Sequence, residues 1–291
     1  MNFLTALFNG LSSGGTYAII AIGYTMVYGI AKMLNFAHGD IIMAGGYAMF
    51  TTLLLVGHPI PALCVAVAFC VALGVFVERF AYRPLRGASP LAVLITAIGV
   101  SSLLQSLAQI IFGAGSKMPL QLQVSGALKL GAFSIHYNTL ITLAVTVVLM
   151  VALTLFVKYS KVGRAMVAVS EDRGAAQLMG VNTNAIIAVT FGIGSALAAV
   201  AAYLMLMKAP SLTNTLGAMP GIKAFTAAVI GGIGSVPGAM LGGILLGVIE
   251  CVSLSIPAIA PFTDAIEFAV LIVILLVKPA GLLGKARREK V

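Results

Sequence analysis

Long apolar runs, separated by short polar or basic segments, make up most of this chain. A membrane-spanning helix needs about 20 mostly apolar residues. The runs approach that length and lack the apolar–polar alternation of a transmembrane β-strand. Firm spans are predicted at residues 4–30, 41–56, 62–77, 91–112, 137–157, 186–207 and 264–277. The pattern therefore predicts an all-α, polytopic transmembrane helix bundle that forms a single domain over residues 1–291.

The apolar segment 224–250 is interrupted at Gly231 and Gly232 and again at Pro237 and Gly238. Such breaks predict half-helices around a turn. A bilayer tolerates them only where the backbone is buried in protein or lines a cavity. Because the number of crossings in this segment stays open, the bundle is expected to have about seven to nine crossings in all.

The composition excludes a soluble domain. Hydrophobic residues make up 60% of the chain and charged residues only 9%, whereas soluble domains carry about 25% charged residues. The net charge of +9 does not indicate nucleic-acid binding, because the basic residues cluster in segments 79–86, 158–173 and 285–290. The positive-inside rule places these segments in the cytoplasm. The alternation of spans between them then places the N-terminus outside and gives segment 224–250 zero or two crossings.

Residues suited to catalysis or metal binding are sparse. The three cysteines lie in apolar runs without metal-ligand spacing, and His38, His58 and His136 lie in separate segments. Neither H-E-x-x-H nor G-x-S-x-G occurs, so no catalytic, cofactor or metal site is predicted. The phosphate-binding pattern G-x-x-x-x-G-K-[ST] is also missing. If transport is driven by ATP, another polypeptide must hydrolyse it.

Small residues recur at four-residue spacing in two parts of the chain. They are Gly10 and Gly14, then Gly234, Gly238 and Gly242, and Gly243 with Gly247. This spacing lets helix backbones approach closely. We expect these glycines to serve packing within the bundle, while a contact with another subunit or a moving gate remains the alternative.

A histidine and an aspartate interrupt the apolar pattern in the stretch "MLNFAHGDIIMAGGYAMF", which begins at Met33. Residues 32–40 are expected to join the first two spans on the cytoplasmic side. Asp40 could cap free N–H groups at the start of a helix, with Asn35 and His38 in the preceding turn. Alternatively, these three polar residues fold into the bundle and line or gate the inner end of a transport path.

The cytoplasmic loop 158–184 is the longest segment of mixed charge, and its middle, "SEDRGAAQLMG", predicts a short helix. Ser170 is the expected N-cap. Glu171 and Asp172 fall in the predicted first turn, where the helix dipole favours anions. Gly180 is the expected residue that ends the helix in a left-handed conformation.

Ala175, Leu178 and Met179 share one face of this predicted helix. Such a face could lie on the bilayer surface or dock into the groove of a partner. Docking is favoured, because so small an apolar face binds lipid poorly.

The stretch "GAAQLMG", with Ala175 and Ala176, resembles the coupling motif of ABC importer permeases. The family has a glutamate where this chain has Gly174, and here the acidic pair Glu171–Asp172 lies just upstream. Together with "MLNFAHGDIIMAGGYAMF" and "AVIGGIGSVPGAMLGGILLGVIE", this stretch makes nearly the whole chain similar to the membrane permease subunits of branched-chain amino-acid ABC importers, the LivH type.

This resemblance implies a multi-pass protein of the bacterial plasma (inner) membrane that imports branched-chain, aliphatic amino acids. The implied partners are a second homologous permease subunit, two cytoplasmic ATPase subunits and a periplasmic substrate-binding protein. The residues implied in coupling to the ATPases are Glu171, Asp172, Ala175, Ala176, Leu178, Met179 and Gly180.

Other transport functions remain open. Relatives in this branch carry urea or short amides. An ion-coupled secondary transporter usually needs carboxylates at mid-membrane depth, but most acids here fall at predicted span ends, namely Asp40, Glu78, Glu250, Asp264 and Glu267. A passive channel would leave the predicted docking helix without a purpose.

Overall fold

The computed structural model describes residues 3–122, 124, 126–130 and 133–284, and this part of the chain is almost entirely helical. Its helices are α1 (Phe3–Ala31), α2 (His38–Val56), α3 (Pro59–Val77), α4 (Pro90–Phe112), α5 (Tyr137–Tyr159), α6 (Lys161–Glu171), α7 (Arg173–Leu178), α8 (Thr183–Lys208), α9 (Ala218–Gly231), α10 (Val236–Ser255) and α11 (Thr263–Val277). Strands β1 (Ala127–Leu130) and β2 (Phe133–His136) form one antiparallel hairpin. Eight of the described helical segments are long and apolar enough to span a membrane, which confirms the polytopic bundle. The basic segment predicted at 285–290 lies outside the described residues.

Several helices begin where the sequence offers a side-chain cap. The Ser89 hydroxyl accepts a hydrogen bond from the Ala92 N–H at 3.3 Å, and Pro90 follows it in the first turn of α4. The Asn182 side chain accepts from the Ala185 N–H at 3.1 Å at the start of α8. These caps satisfy backbone donors that have no partner within the helix.

The interrupted segment contains one short helix and one long helix. Helix α9 has 14 residues, or about 21 Å, which is too short to span the hydrocarbon core. Helix α10 has 20 residues and contains Pro237 and Gly238 in its first turn. Proline is tolerated there because its missing N–H would have no helical partner. The predicted break at Pro237–Gly238 is therefore wrong, whereas the break after Gly231 is confirmed, with Gly232 at φ 103°.

Helices α1 and α10 run antiparallel in close contact. A Cβ atom on Gly10 would lie 2.9 Å from the Cα of Val248, and one on Gly29 would lie 3.4 Å from the Cα of Gly234. The last carbonyl of α1, that of Ala31, accepts a hydrogen bond from Arg173. Helix α1 therefore ends at the same side of the bundle as the basic loop, as the charge pattern predicts. We call this side the basic end.

The opposite end of the bundle brings together two connecting segments. The backbones of Lys117 and Leu212 exchange two hydrogen bonds of 2.8 Å. Lys117 follows α4 and Leu212 follows α8, so both helices run from the basic end to the opposite end. Helix α10 then runs in the same direction, and α9 and α11 return toward the basic end. Segment 224–250 thus reverses direction once, as two passes require.

Helices α1, α2 and α8 form the centre of the bundle, and α4, α5 and α11 lie at its edge. The edge helices expose large apolar side chains, for example Ile110 at 79%, Val148 at 64% and Leu276 at 79%. In a membrane protein such surfaces contact lipid or other subunits.

Candidate functional site

The connection between α1 and α2 turns back into the bundle. Lys32 adopts a left-handed backbone at φ 54°, and α2 begins at His38. The His38 ring packs on α1, because a Cβ on Gly23 would lie 2.7 Å from its Nε2. Asp40 contacts Gln105, which lies about 22 Å along α4 from the basic end. His38 and Asp40 therefore lie inside the bundle, deeper than the cytoplasmic boundary predicted for them, whereas Asn35 contacts Tyr82 of the basic segment 79–86.

The three polar residues of this stretch are all buried. Asn35 is 3% exposed, His38 1% and Asp40 2%. The Tyr82 hydroxyl donates to Asn35 Oδ1 at 2.8 Å, and the Gln105 amide donates to Asp40 Oδ1 at 2.8 Å. We call these five residues the polar centre. It draws on three segments of the chain, and Gln105, one of two glutamines in the apolar run 91–112, is its member on α4.

Two polar atoms of the polar centre and two further buried hydroxyls, on α1 and α2, lack a hydrogen-bond partner among the described residues. They are Asn35 Nδ2, His38 Nε2, Thr25 Oγ1 and the Tyr47 hydroxyl. Leaving such groups buried and unsatisfied costs about 1–3 kcal/mol each. Buried unsatisfied groups call for an explanation such as water or a functional role. Asp40 does lie in the first turn of α2, but its bond across to α4 and these orphan atoms favour the transport-path interpretation over capping alone.

The first turn of α2 also touches the start of α9. The backbones of Gly39 and Gly217 are in direct contact, and a Cβ on Gly221 would lie 3.2 Å from the Cα of Gly39. Two helices therefore start against each other inside the bundle. Their N-terminal ends carry positive partial charge, and only glycine leaves room for backbones this close.

The basic loop folds into two helices, and its caps differ from the prediction. Ser170 lies in the last turn of α6 and donates its hydroxyl to the Val167 carbonyl at 2.7 Å. Glu171 ends α6. The N-cap of α7 is Asp172, whose carboxylate accepts from the Ala175 N–H at 2.9 Å. The predicted cap at Ser170 is wrong, because α6 continues through Ser170 and the chain becomes extended only at Asp172.

Gly180 ends α7 as predicted. Its φ is 81°, its N–H donates to the Gln177 carbonyl at 2.9 Å, and the Val181 N–H donates to the Ala176 carbonyl at 3.0 Å. These two bonds form a Schellman motif, which requires a left-handed residue at this position. Helix α7 is short, but the Asp172 side chain caps its start and the Schellman motif caps its end.

The predicted apolar face of α7 is present and uncovered by the described residues. Leu178 is 90% exposed and Met179 84%, and Ala175 is exposed beside them. Ala176 points the other way and is buried at 5%. Helix α7 thus presents a small exposed apolar surface at the basic end, while its opposite face, at Ala176, is buried against the rest of the chain.

Side-chain hydrogen bonds fix α7 to the bundle. Arg173 donates to the carbonyl of Ile30 at 3.3 Å and to that of Ala31. Gln177 donates to the Thr183 hydroxyl at 2.9 Å. Ala31 ends α1 and Asn35 follows four residues later, so Arg173 connects α7 to the segment that carries the polar centre.

Side-chain contacts also fix the other described basic segment, residues 79–86. Arg86 forms an ion pair with Glu78 and a hydrogen bond with Asn184 at the start of α8. Burial lowers the pKa of the Arg86 guanidinium, and the adjacent Glu78 carboxylate opposes that shift. This contact joins the end of α3 to the loop that carries α7.

Comparisons with known proteins agree on one family. The model of the branched-chain amino acid transport system / permease component family matches residues 6–275. The high-affinity branched-chain amino acid transport system permease protein BraD of Pseudomonas aeruginosa is 45% identical over 100% of this chain and 98% of its own length. The corresponding LivH proteins of Salmonella typhimurium and Escherichia coli are 45% and 44% identical, each over 99% of this chain and 98% of their own length.

A solved structure supports the fold. The PsaBC complex of Streptococcus pneumoniae with Fab matches 96% of this chain and 93% of the solved chain, with a TM-score of 0.52 and 16% identity. At that identity the likeness concerns architecture alone. The family match and the full-length relatives together show that the chain belongs to the family of permease components of branched-chain amino-acid transport systems.

Proposed function

We propose that the chain is the membrane permease subunit of an ATP-driven importer of branched-chain aliphatic amino acids. It forms the path with a second permease subunit, two cytoplasmic ATPase subunits drive it, and a periplasmic binding protein delivers the substrate. The observation that carries the proposal is the 45% identity to BraD along the whole chain. The exposed apolar face of Leu178 and Met179 supplies a surface suited to an ATPase groove.

Two buried carboxylates bear on the ion-coupled alternative. The sequence suggested that most acids lie at span ends, but Asp40 is 2% exposed and Glu267 is 0% exposed. Buried carboxylates inside a bundle are also found in proton-coupled transporters. The family membership and the docking face favour the ATP-driven importer, because coupling to an ATPase is what an exposed loop helix serves.

Purification from native membranes in mild detergent tests the proposal. We expect mass spectrometry to find two ATPase chains and a second permease in stoichiometric amounts with this chain. Membrane vesicles should take up leucine only when ATP is supplied and should be insensitive to a protonophore. Uptake that collapses with the protonophore, by a chain recovered without ATPases, would establish the ion-coupled alternative. Uptake of urea in preference to leucine would place the chain among the urea and short-amide permeases.

Asp40→Asn tests the transport role of the polar centre. Asparagine keeps an oxygen acceptor for Gln105 but removes the negative charge, so we expect normal assembly and a leucine uptake rate reduced about tenfold, as for loss of a charge-assisted hydrogen bond of about 1.4 kcal/mol. Uptake rate per assembled complex is the measurement. An unchanged rate would mean that Asp40 serves only the start of α2.

A further inference from the structure

Three carboxylates from two helices converge on one lysine. Lys223 Nζ of α9 lies 2.6 Å from Glu250 Oε1 of α10, 2.9 Å from Asp264 Oδ1 and 3.3 Å from Glu267 Oε2 of α11. The Tyr17 hydroxyl of α1 lies 3.0 Å from both oxygens of Glu250. We call these five residues the Lys223 cluster. It lies apart from the polar centre and from α7, and neither the spans nor the resemblance predicted it.

The Lys223 cluster is buried on one side and open on the other. The side chain of Glu267 is 0% exposed and that of Lys223 8%, whereas Glu250 is 14% exposed and Asp264 55%. Asp264 is in the first turn of α11, which places the open side near the end of the bundle opposite the basic end.

The charges of the Lys223 cluster do not balance. Three carboxylates face one ammonium group, so two negative charges remain if all four groups are ionised. The fully buried Glu267 carboxylate is paired only with Lys223, which donates to Oε1 at 3.4 Å and lies 3.3 Å from Oε2 without hydrogen-bond geometry. An uncompensated buried charge is strongly unfavourable. Either a proton on one carboxylate or an additional cationic group can remove this excess of negative charge.

The geometry favours an organic cation over a metal ion. No group of three or more histidine, cysteine or acidic side chains in the described part of the chain is placed to hold a metal. An ammonium group instead donates separate hydrogen bonds to several acceptors. The lysine of the cluster already demonstrates this mode of binding with the same three carboxylates.

An α-amino acid carries both charges that the Lys223 cluster can recognise. Its ammonium matches the carboxylates of Glu250, Asp264 and Glu267, and its carboxylate matches Lys223. We propose that the Lys223 cluster is a binding site for the zwitterionic head of the transported amino acid, at the outer end of the path. The proposal rests on the proposed function. Binding exchanges ion pairs within the cluster for ion pairs with the substrate, which limits the cost of desolvating each charge.

Neutralising the whole cluster separates this role from that of ion pairs that only hold helices together. We expect Lys223→Met and Glu250→Gln each to reduce leucine uptake at least about tenfold. The quadruple variant Lys223→Met, Glu250→Gln, Asp264→Asn and Glu267→Gln removes all four charges, so no carboxylate is left without a cationic partner. We expect it to assemble normally yet stay at least about tenfold impaired. Recovery of wild-type uptake in the quadruple variant would overturn the proposal.

Lys208→Met is the matched control. Lys208 also lies at the outer end of its helix, but its ammonium contacts the Ser13 hydroxyl at 2.6 Å and none of the carboxylates of the cluster. We expect this variant to take up leucine at the wild-type rate. A loss equal to that of Lys223→Met would assign the effect to general charge at this end of the bundle, against the proposal.

Direct binding tests the chemistry of the ligand. The purified permease–ATPase complex in lipid nanodiscs, without the binding protein, should bind radiolabelled leucine, and Lys223→Met should abolish that binding. 3-Methylbutylamine lacks the carboxylate and 4-methylpentanoate lacks the ammonium, so each should compete at least about tenfold more weakly than leucine. Equal competition by all three would overturn the zwitterion site. The proposed function is checked separately, by ATP-dependent uptake in the wild-type complex.

Discussion

Replacing Leu178 and Met179 together by aspartate is expected to release the ATPase subunits and to abolish ATP-driven uptake. Both side chains are almost fully exposed, at 90% and 84%. The substitution therefore leaves the packing of the chain itself intact. Burying a side chain of this size in a partner's groove contributes about 1.5–3 kcal/mol. Losing two such contacts weakens docking by about 3 kcal/mol or more, which is over a hundredfold in affinity.

Val162→Asp provides the control for this double variant. Val162 lies in the first turn of α6 on the same loop and is 38% exposed, and an acid in a first turn is favoured by the helix dipole. We expect ATPase recovery by affinity purification to be normal with this control and lost with the double variant. Ala176 is unsuitable for the test because it is buried and its replacement would disturb the loop itself. Wild-type ATPase recovery with the Leu178 and Met179 variant would contradict the assignment of α7 as the coupling helix.

The sequence could predict the bundle because the bilayer leaves a single-chain apolar protein few alternatives. The uninterrupted apolar run 137–157, for example, forms helix α5, whose ends lie within two residues of the predicted bounds. The end of α7 at Gly180 was also predictable, because it needs a left-handed residue and glycine adopts that conformation without strain. The end of α7 depends on the residues of that segment alone, and the helical bundle depends on the bilayer that surrounds it.

Features that depend on contacts between distant residues were not predictable. Asp40 was placed at the membrane boundary because its partner Gln105 lies 65 residues away in the chain. The cap of α7 at Asp172 follows from where α6 stops. Lys223 stood alone in an apolar run, and only packing of α9 against α10 and α11 brings it to its acids. A lone charged residue in an apolar run indicates a partner, but spacing alone does not identify it.

The glycine spacing was only partly informative: it predicted close helix packing but did not identify the partner helix. The structure assigns Gly14 and Gly243 to the contact between α1 and α10. A Cβ on Gly14 would lie 2.7 Å from the Cα of Ile244 and 2.9 Å from the carbonyl oxygen of Gly243. Both are backbone atoms, which no rotamer change can move.

Gly14→Val is therefore expected to separate α1 from α10 and to destabilise the whole bundle. Overpacking a core costs about 1–3 kcal/mol where side chains can adjust, and here two backbones must move apart, so we expect the higher end or beyond. Gly99→Val is the matched control, since a Cβ on Gly99 of α4 meets nothing within 4 Å and the change in helix propensity is the same. The midpoint of thermal unfolding in detergent should fall markedly for Gly14→Val alone. Equal midpoints for the two variants would show that α1 and α10 do not pack this closely in the membrane protein.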